Sequence, residues 1–191
     1  YQLPTRTLTP VKLDSDVAFI SGGMNHTLYI TTGGTLYATG YNHNGQLGNN
    51  TQNHAYVPIE VATDVATAAA GGTMSYYVTK TGALYGFGGN GSGQLGNNST
   101  ADSPIPILIA TGVAKVAAGS IHSLYLTTGG DLYAVGANWR GQLGNSSTAN
   151  ARTPVLVASN VKAIAAGHMH SLYVTNDGEL YATGDNTCGQ L

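Results

Sequence analysis

The sequence is poor in charge and has no long apolar run. Only 8% of its 191 residues are Asp, Glu, Lys or Arg, against about 25% in typical soluble domains. The net charge is −2 and no cluster of Lys or Arg occurs. Nucleic acid and anionic lipid are therefore disfavoured as partners, because both need a basic face. No apolar run reaches the roughly 18 residues that a membrane span requires, so we expect no membrane insertion.

Cysteine is nearly absent too, since Cys188 is the only one. The chain therefore forms no internal disulfide, which fits a reducing compartment but is also found in secreted repeat proteins. The polar surface must come largely from uncharged residues, among them 23 Thr and 15 Asn. This composition favours an extracellular or cell-surface location. No signal-peptide pattern is present, so we expect either a removed leader or a segment of a longer polypeptide.

Short motifs recur at a constant interval of 48 residues. Gly-Gln-Leu-Gly occupies 45–48, 93–96 and 141–144, and residues 189–191 begin a fourth copy. A tyrosine, two glycines and a proline keep the same interval, at Tyr37, Tyr85, Tyr133 and Tyr181, at Gly40, Gly88, Gly136 and Gly184, at Gly23, Gly71, Gly119 and Gly167, and at Pro10, Pro58, Pro106 and Pro154. The sequence therefore predicts four repeats, at approximately 1–47, 48–95, 96–143 and 144–191.

Within each repeat the apolar pattern has the two-residue period of β-strands. In the third repeat, alternating stretches at 122–127 and 132–135 flank a Thr-Gly-Gly turn and predict a hairpin. An alanine-rich stretch at 113–119 precedes the hairpin, and a short strand opened by Pro106 comes before that. Four short strands per repeat predict an all-β fold, a β-propeller whose blades must stack to cover their faces. The small residues of the alanine-rich stretches suit the crowded inner part of a blade.

Three motifs carry a family resemblance. Ala-Ala-Gly-x-x-His-Ser-Leu at 117–124, Leu-Tyr-Ala-x-Gly at 132–136 and Gly-Gln-Leu-Gly at 141–144 resemble the regulator of chromosome condensation repeat family. The resemblance implies a propeller that usually has seven blades, so four repeats imply part of a larger propeller or an assembly. Many family repeats carry Trp at one position where this chain has Thr39, Phe87, Val135 and Thr183.

The same resemblance does not imply one function. Family members include a nucleotide-exchange factor of a small GTPase, a plant ultraviolet photoreceptor and a secreted inhibitor of β-lactamase. The fold therefore leaves the function open.

Three histidines recur at equivalent positions, and a ring of them around a propeller axis would suggest a metal site. They are His26, His122 and His170. Met74 replaces the family histidine in the second repeat, and no acidic residue recurs nearby. We therefore interpret the histidines as structural and expect neither metal nor cofactor.

The glycine motif resembles a phosphate-binding loop only superficially. It begins at Gly45, Gly93, Gly141 and Gly189. The Lys-Ser/Thr pair and the following helix of a nucleotide-binding loop are missing. We interpret the motif as a sharp blade-to-blade turn, with its leucine in the core and its glutamine amide bonded to turn backbone.

No catalytic set is visible, and we expect no enzyme. The nine acidic residues are scattered and no pair of them recurs as a general acid and base. Cys188 lies at a loop position where the other repeats have different residues. It is therefore an unpromising nucleophile.

Residues that break the repeat are the better candidates for contacts with a partner, since a binding site need not follow the repeat. The candidates in or near loops are Tyr41, His43, Tyr56, Trp139, Arg140 and Arg152. The twelve tyrosines also suit contact surfaces, although eight of them recur at two positions and indicate packing between blades. Six sequons are candidate glycosylation sites in a eukaryotic secretory pathway, at Asn25, Asn49, Asn90, Asn97, Asn98 and Asn145.

The leading hypothesis is a non-catalytic protein-interaction module, extracellular or at the cell surface, whose partner is another protein or further copies of itself. One alternative is a structural subunit of an extracellular assembly or fibre, and a second is a regulator similar to a guanine-nucleotide exchange factor. Residues 1–9 hold the register of 49–57, so the first strand has the sequence to complete the last blade. We expect that the chain is not a free closed monomer.

Overall fold

A computed structural model describes residues 7–191, which form fifteen β-strands and no helix. The strands make four antiparallel sheets, each with its strands in chain order. The first sheet holds β1 (Val17–Gly22), β2 (His26–Thr31), β3 (Leu36–Gly40) and β4 (Ala55–Ala62). The second holds β5 (Val65–Ala70), β6 (Met74–Thr79), β7 (Leu84–Gly88) and β8 (Ser103–Ala110). The third holds β9 (Val113–Ala118), β10 (His122–Thr127), β11 (Leu132–Gly136) and β12 (Ala151–Ala158). The fourth holds β13 (Val161–Ala166), β14 (His170–Thr175) and β15 (Leu180–Gly184).

The sheets are the blades of a propeller, and we number them 1 to 4 in chain order. The alanine-rich strands β5, β9 and β13 lie innermost with β1, because these strands contact one another from blade to blade. A Cβ atom on Gly71 would lie 2.6 Å from the carbonyl oxygen of Gly119 in the next blade. The expected placement of small residues at the crowded inner edge is therefore confirmed.

Each proline-containing strand belongs to the sheet of the hairpin that precedes it, since β4 pairs with β3 and β8 with β7. The interpretation of the glycine motif as a blade-to-blade turn is wrong, because the motif joins the third and fourth strands of one sheet.

Blades are linked instead by two residues, at 63–64, 111–112 and 159–160. The second residue of each link has a positive φ, which Asp, Gly and Asn adopt most readily.

The hydrophobic cores lie between neighbouring blades. Leu28 and Leu36 of blade 1 are fully buried against Val65 and Tyr77 of blade 2, and clusters of the same kind lie between blades 2 and 3 and between blades 3 and 4. Burying one such leucine contributes about 1.5–3 kcal/mol. Each blade is therefore stabilised by its neighbours.

Among residues 7–191, the two outer faces of the array have no neighbouring blade. The substantial contacts between sheets run from blade 1 to 2, from 2 to 3 and from 3 to 4. Ile20 of blade 1 is 73% exposed and Leu180 of blade 4 is 65% exposed. The blades therefore form an open arc, part of a propeller.

The expectation that residues 1–9 complete the last blade rests partly on residues 1–6, which lie outside the described residues. Residues 7–16 belong to no strand, and blade 4 has three strands in the described part of the chain. No helix long and apolar enough to cross a membrane occurs between residues 7 and 191.

Candidate functional site

The residues that vary between repeats gather at one end of the sheets. Because the strands run antiparallel in chain order, the turn between the first two strands and the loop between the last two share an end. The backbone N–H of Tyr41 donates to the carbonyl oxygen of Asn25 across this end, at 2.9 Å. We call it the loop face, formed by residues 23–25 and 41–54 and their equivalents in the other blades.

Each β3–β4 type loop is built around a buried asparagine, at Asn42, Asn90 and Asn138. The Nδ2 group of Asn42 donates to Oδ1 of Asn49 and to the carbonyl oxygens of Thr51 and Asn53, at 2.9–3.1 Å. Its Oδ1 accepts the backbone N–H of Leu47 at 2.9 Å. The other two asparagines make the same set of bonds. A fully bonded buried amide ties both ends of the loop together, so the loop presents its outer residues from a fixed frame.

The glycine motif shapes the same loop. Gly45 has a φ of 82°, and its equivalents are also positive. Leu47 is fully buried, and Oε1 of Gln46 accepts the backbone N–H of Asn44 at 3.0 Å. A Cβ on Gly45 would overlap Pro104 of the next blade. Glycine is required here because the turn is left-handed and a neighbouring strand approaches closely.

One position in the loop accepts a backbone hydrogen bond with a different side chain in each blade. His54 Nδ1 accepts from Asn42 at 3.0 Å, Asp102 Oδ1 from Asn90 at 2.8 Å, and Asn150 Oδ1 from Asn138 at 2.9 Å. The bond is conserved in geometry while its chemistry changes, so the surface of the loop face differs from blade to blade.

Blade 1 carries an aromatic cluster on this face. The rings of Tyr41, His43 and His54 lie 4.7–5.1 Å apart between centroids. His43 and His54 are exposed, and Tyr56, two residues further into β4, is 68% exposed. The structure thus brings Tyr41 and His43 together and adds His54, which was not among the candidates from the sequence.

Blade 3 carries a second group. Trp139 is 46% exposed, and Nε of Arg140 lies 3.8 Å from Oδ1 of Asp185 in the next blade. Asp185 is partly buried and also accepts hydrogen bonds from Thr187 and Gln190, whereas the side chain of Arg140 is 53% exposed and open to a partner. Arg152 lies on β12 and packs over Gly93 of blade 2. Three of the six candidate contact residues therefore lie on blade 1 and three on blade 3.

Two of the recurring histidines lie between blades. Nε2 of His26 is 2.8 Å from Oγ of Ser75 in blade 2, and that hydroxyl donates to the carbonyl oxygen of Gln46 at 2.8 Å. Since the hydroxyl donates onward, His26 must donate to it. His122 and Ser171 repeat the arrangement, at 2.9 Å. Burial lowers the pKa of His26 and of His122 to about 4, so both rings are neutral at pH 7.

His170 has the equivalent position in blade 4, where the described residues include no further blade to supply the serine. Between residues 7 and 191 no group of three or more His, Cys, Asp or Glu is placed to hold a metal ion. Cys188 is exposed.

The recurring tyrosines stack in pairs across neighbouring strands, with ring centroids 4.9–5.3 Å apart. Tyr77 packs in the core shared with blade 1 and Tyr125 in the core shared with blade 2. Tyr173 packs likewise in the core shared with blade 3. The pairs in blades 2 and 3 therefore pack between blades, whereas Tyr181 of blade 4 is 43% exposed.

The six sequons differ in accessibility. Asn25, Asn97 and Asn98 are exposed, and Asn49 and Asn145 are partly buried. Asn90 is fully buried and its Nδ2 group donates its two hydrogens among three acceptors. A glycan at Asn90 is incompatible with this loop, which corrects the expectation at that position, and the other five sites stay predictions.

Comparison with known families agrees with the repeat geometry. A family model described as the regulator of chromosome condensation (RCC1) repeat matches residues 33–78, 81–126 and 129–174. A second model of that repeat matches residues 17–46, 113–142 and 161–190. A direct comparison with curated protein sequences gave no match.

Solved structures show the same fold. Human WBSCR16 superposes with a TM-score of 0.79 at 24% identity, over 92% of this chain and 49% of that one. Yeast RCC1 (Prp20) bound to Kap60 gives 0.80 at 24% identity, over 93% and 45%. Prp20p from Saccharomyces cerevisiae, reported with its binding properties to Gsp1p and histones, gives 0.79 at 25% identity, over 93% and 47%. The chain therefore spans about half the length of these propellers.

Proposed function

Because the chain belongs to the regulator of chromosome condensation repeat family, we propose that it is a non-catalytic module that binds another protein through its loop face. The observation that carries the proposal is the exposed Trp139 beside Arg140, held on a loop that is tied down by the buried Asn138. Trp and Arg are the residue types that most often dominate protein interfaces.

Rigidity of the loop supports this function. Binding costs less conformational entropy when the contact residues are already fixed. The amide of Asn138 bonds to three acceptors on the far side of the loop and accepts the N–H of Leu143. The variable side chains are thus displayed from an invariant frame, an arrangement that suits recognition of a specific partner.

The nature of the partner follows from charge and from the relatives. The chain has a net charge of −2 and few basic residues, so a protein suits this surface better than nucleic acid does. The related yeast Prp20 is bound to Kap60 in one structure and is reported with Gsp1p and histones in another. We infer an extracellular or cell-surface location from the uncharged, Thr- and Asn-rich composition.

The test is affinity capture from the native source with quantitative mass spectrometry. We expect a specific partner to be retained by the wild-type chain and lost by Trp139→Ala and by Arg140→Ala. Thr128→Ala is the matched control, because Thr128 is exposed on the same blade at the opposite end. A partner retained equally by all three variants would place the binding surface elsewhere.

A second candidate function, a structural subunit of an extracellular assembly or fibre, is supported by the uncharged composition, which is rich in Thr and Asn. Light scattering distinguishes it from the first, since a structural subunit associates with itself in the absence of any other protein.

A further inference from the structure

The loop of blade 1 differs from the loops of blades 2 and 3 in the acceptor of one buried backbone N–H group. The N–H of Asn42 donates to Nδ1 of His54 at 3.0 Å, and Asn42 is fully buried. In blades 2 and 3 the equivalent N–H bonds to a side-chain oxygen, of Asp102 and of Asn150. Both partners of each bond belong to one loop, so the bond forms within a single blade. Among these three bonds, the bond in blade 1 alone uses a nitrogen acceptor.

This hydrogen bond fixes the tautomer of His54. Since Nδ1 accepts the N–H of Asn42, the proton of the neutral ring is on Nε2. A protonated imidazole has an N–H at both nitrogens and accepts no hydrogen bond, whereas a carboxyl group and an amide keep an acceptor oxygen. Histidine is the side chain type that gains a proton between about pH 5 and 8. Protonation of His54 therefore leaves the buried N–H of Asn42 without an acceptor, which destabilises the closed loop.

The titratable groups that face His54 do not balance a charge on its ring. The ring of Tyr41 stacks on it, with centroids 4.7 Å apart, and the ring of His43 stands edge-on to it at 5.0 Å. Asp102 of blade 2 bonds to the same loop, but its two oxygens already accept hydrogen bonds from asparagines. Within the described part of the chain, no carboxylate oxygen lies within 4.0 Å of a His54 nitrogen. A second charge on His43 would add repulsion to the first.

We propose that His54 is a pH-sensitive switch of the blade 1 loop, which is held closed while the ring is neutral and loosens when the ring takes up a proton. Nδ2 of Asn42 also donates to the carbonyl oxygen of Asn53, beside His54, so the switch and the buried amide hold the same end of the loop. Tyr41 and His43 are displayed from this loop, and the blade 1 part of the loop face therefore changes with pH. Acid then weakens any partner contact made there, a consequence that rests on the proposed function.

Amide hydrogen exchange of the 191-residue chain, measured residue by residue by NMR, tests the switch. We expect the protection factor of the Asn42 N–H to fall about tenfold between about pH 7.5 and 5.5, with the same midpoint as the titration of the His54 ring. The equivalent N–H groups of Asn90 and Asn138 are controls within the same molecule, because their acceptors are oxygens. They report any general destabilisation in acid, so the difference between blades isolates the switch.

Exchanging the acceptors between blades gives a matched pair of variants. His54→Asn supplies the acceptor of blade 3, so the N–H of Asn42 should stay protected across the whole pH range. Asn150→His supplies the acceptor of blade 1, so the N–H of Asn138 should become sensitive to acid. The two variants change different blades, so each one tests the switch even where the other fails to fold.

Three results would overturn the proposal. They are protection of Asn42 that persists while the His54 ring becomes protonated, an equal loss of protection at Asn90 and Asn138, and an unchanged acid response in the His54→Asn variant. None of these measurements requires a partner, so failure of the switch and failure of the proposed binding function are observed separately.

Discussion

At each of the three interfaces between blades, the carbonyl oxygen of the motif glutamine accepts a hydrogen bond from a side-chain hydroxyl, and two different arrangements supply that hydroxyl. At the first interface, a hydroxyl supported by a histidine donates to the carbonyl oxygen of Gln46, and the third interface repeats this. At the second, Met74 replaces the histidine, and the hydroxyl of Tyr76 donates to the carbonyl oxygen of Gln94 at 2.7 Å. The Ser123 hydroxyl is a longer second donor to this oxygen, at 3.2 Å. The repeat therefore requires a hydrogen-bond donor to the glutamine carbonyl oxygen at this point. A serine hydroxyl supported by histidine is one such donor, and a tyrosine hydroxyl is another.

The arrangement with Met74 and Tyr76 at the second interface requires a smaller residue on the neighbouring strand. Tyr76 faces Gly86, where the other blades have Ala38, Ala134 and Ala182. A Cβ on Gly86 would lie 2.9 Å from the ring of Tyr76. Met74, Tyr76 and Gly86 thus form one set of substitutions, and the two kinds of interface are expected to respond differently to pH and to mutation.

Acidification should give the largest difference between the two kinds of interface, because it should destabilise the interfaces that contain histidine. Burial holds the pKa of His26 and of His122 at about 4 in the folded chain, below the ordinary value of 6.5. Between these values the unfolded chain takes up protons that the folded chain does not, so stability is full above pH 6.5 and falls as the pH is lowered towards 4. We expect a loss of up to roughly 3 kcal/mol for each histidine, measured by urea unfolding across this range.

The control for this effect is the double variant His26→Met with His122→Met. Carboxyl groups titrate alike in both proteins, so the difference between the two pH profiles isolates the histidines. An unchanged profile in the variant would contradict the assigned pKa shifts.

A glycine shared by both kinds of interface should be the next most sensitive position. Gly136 pairs with His122, as Gly88 does with Met74. Gly136 has a φ of 109°, and a Cβ there would lie 2.7 Å from the carbonyl oxygen of Ile121. We expect Gly136→Ala to lower the free energy of unfolding by about 2–3 kcal/mol. Gly129→Ala is the control, since its Cβ would meet only the hydroxyl oxygen of Thr127 at 3.7 Å, and equal effects would exclude strain as the cause.

Introducing the residues equivalent to Met74, Tyr76 and Gly86 into blade 3 tests whether these three residues depend on one another. His122→Met alone removes the donor to Ser171 and should cost about 1–2 kcal/mol. Adding Leu124→Tyr and Ala134→Gly supplies the hydroxyl and the space for its ring, and should recover most of that loss at pH 7. A triple variant no more stable than the single one would show that the substitutions are independent.

The smallest expected effect isolates one hydroxyl group. Tyr76→Phe removes the donor to the Gln94 carbonyl and leaves the Ser123 hydroxyl at 3.2 Å. We expect a loss of about 1 kcal/mol by thermal unfolding. Tyr133→Phe is the control, because the ring of Tyr133 is only half-buried, and a comparable loss there would mean that ring packing dominates at both sites.

Sequence reasoning located the variable loop correctly but not the residue that holds it. Asn42, Asn90 and Asn138 recur every 48 residues, which was a usable signal. They were overlooked because asparagine in a polar loop resembles an ordinary surface residue, and Asn90 was even interpreted as a sequon. Only the fold shows that these amides are buried, with partners seven to eleven residues away.

The sequence by itself determined the four strands of blades 1 to 3, the hairpin turns and the alanine-rich inner edge. Alternation, turn residues and small side chains act over a few residues and repeat four times, so local physical chemistry suffices. The tertiary structure decided which sheet the proline-containing strand joins and how each interface bonds its carbonyl group. Those outcomes depend on hydrogen bonds between residues 29 and 49 positions apart, such as Ser75 to Gln46 and His26 to Ser75. Such partners become neighbours only when the blades stack.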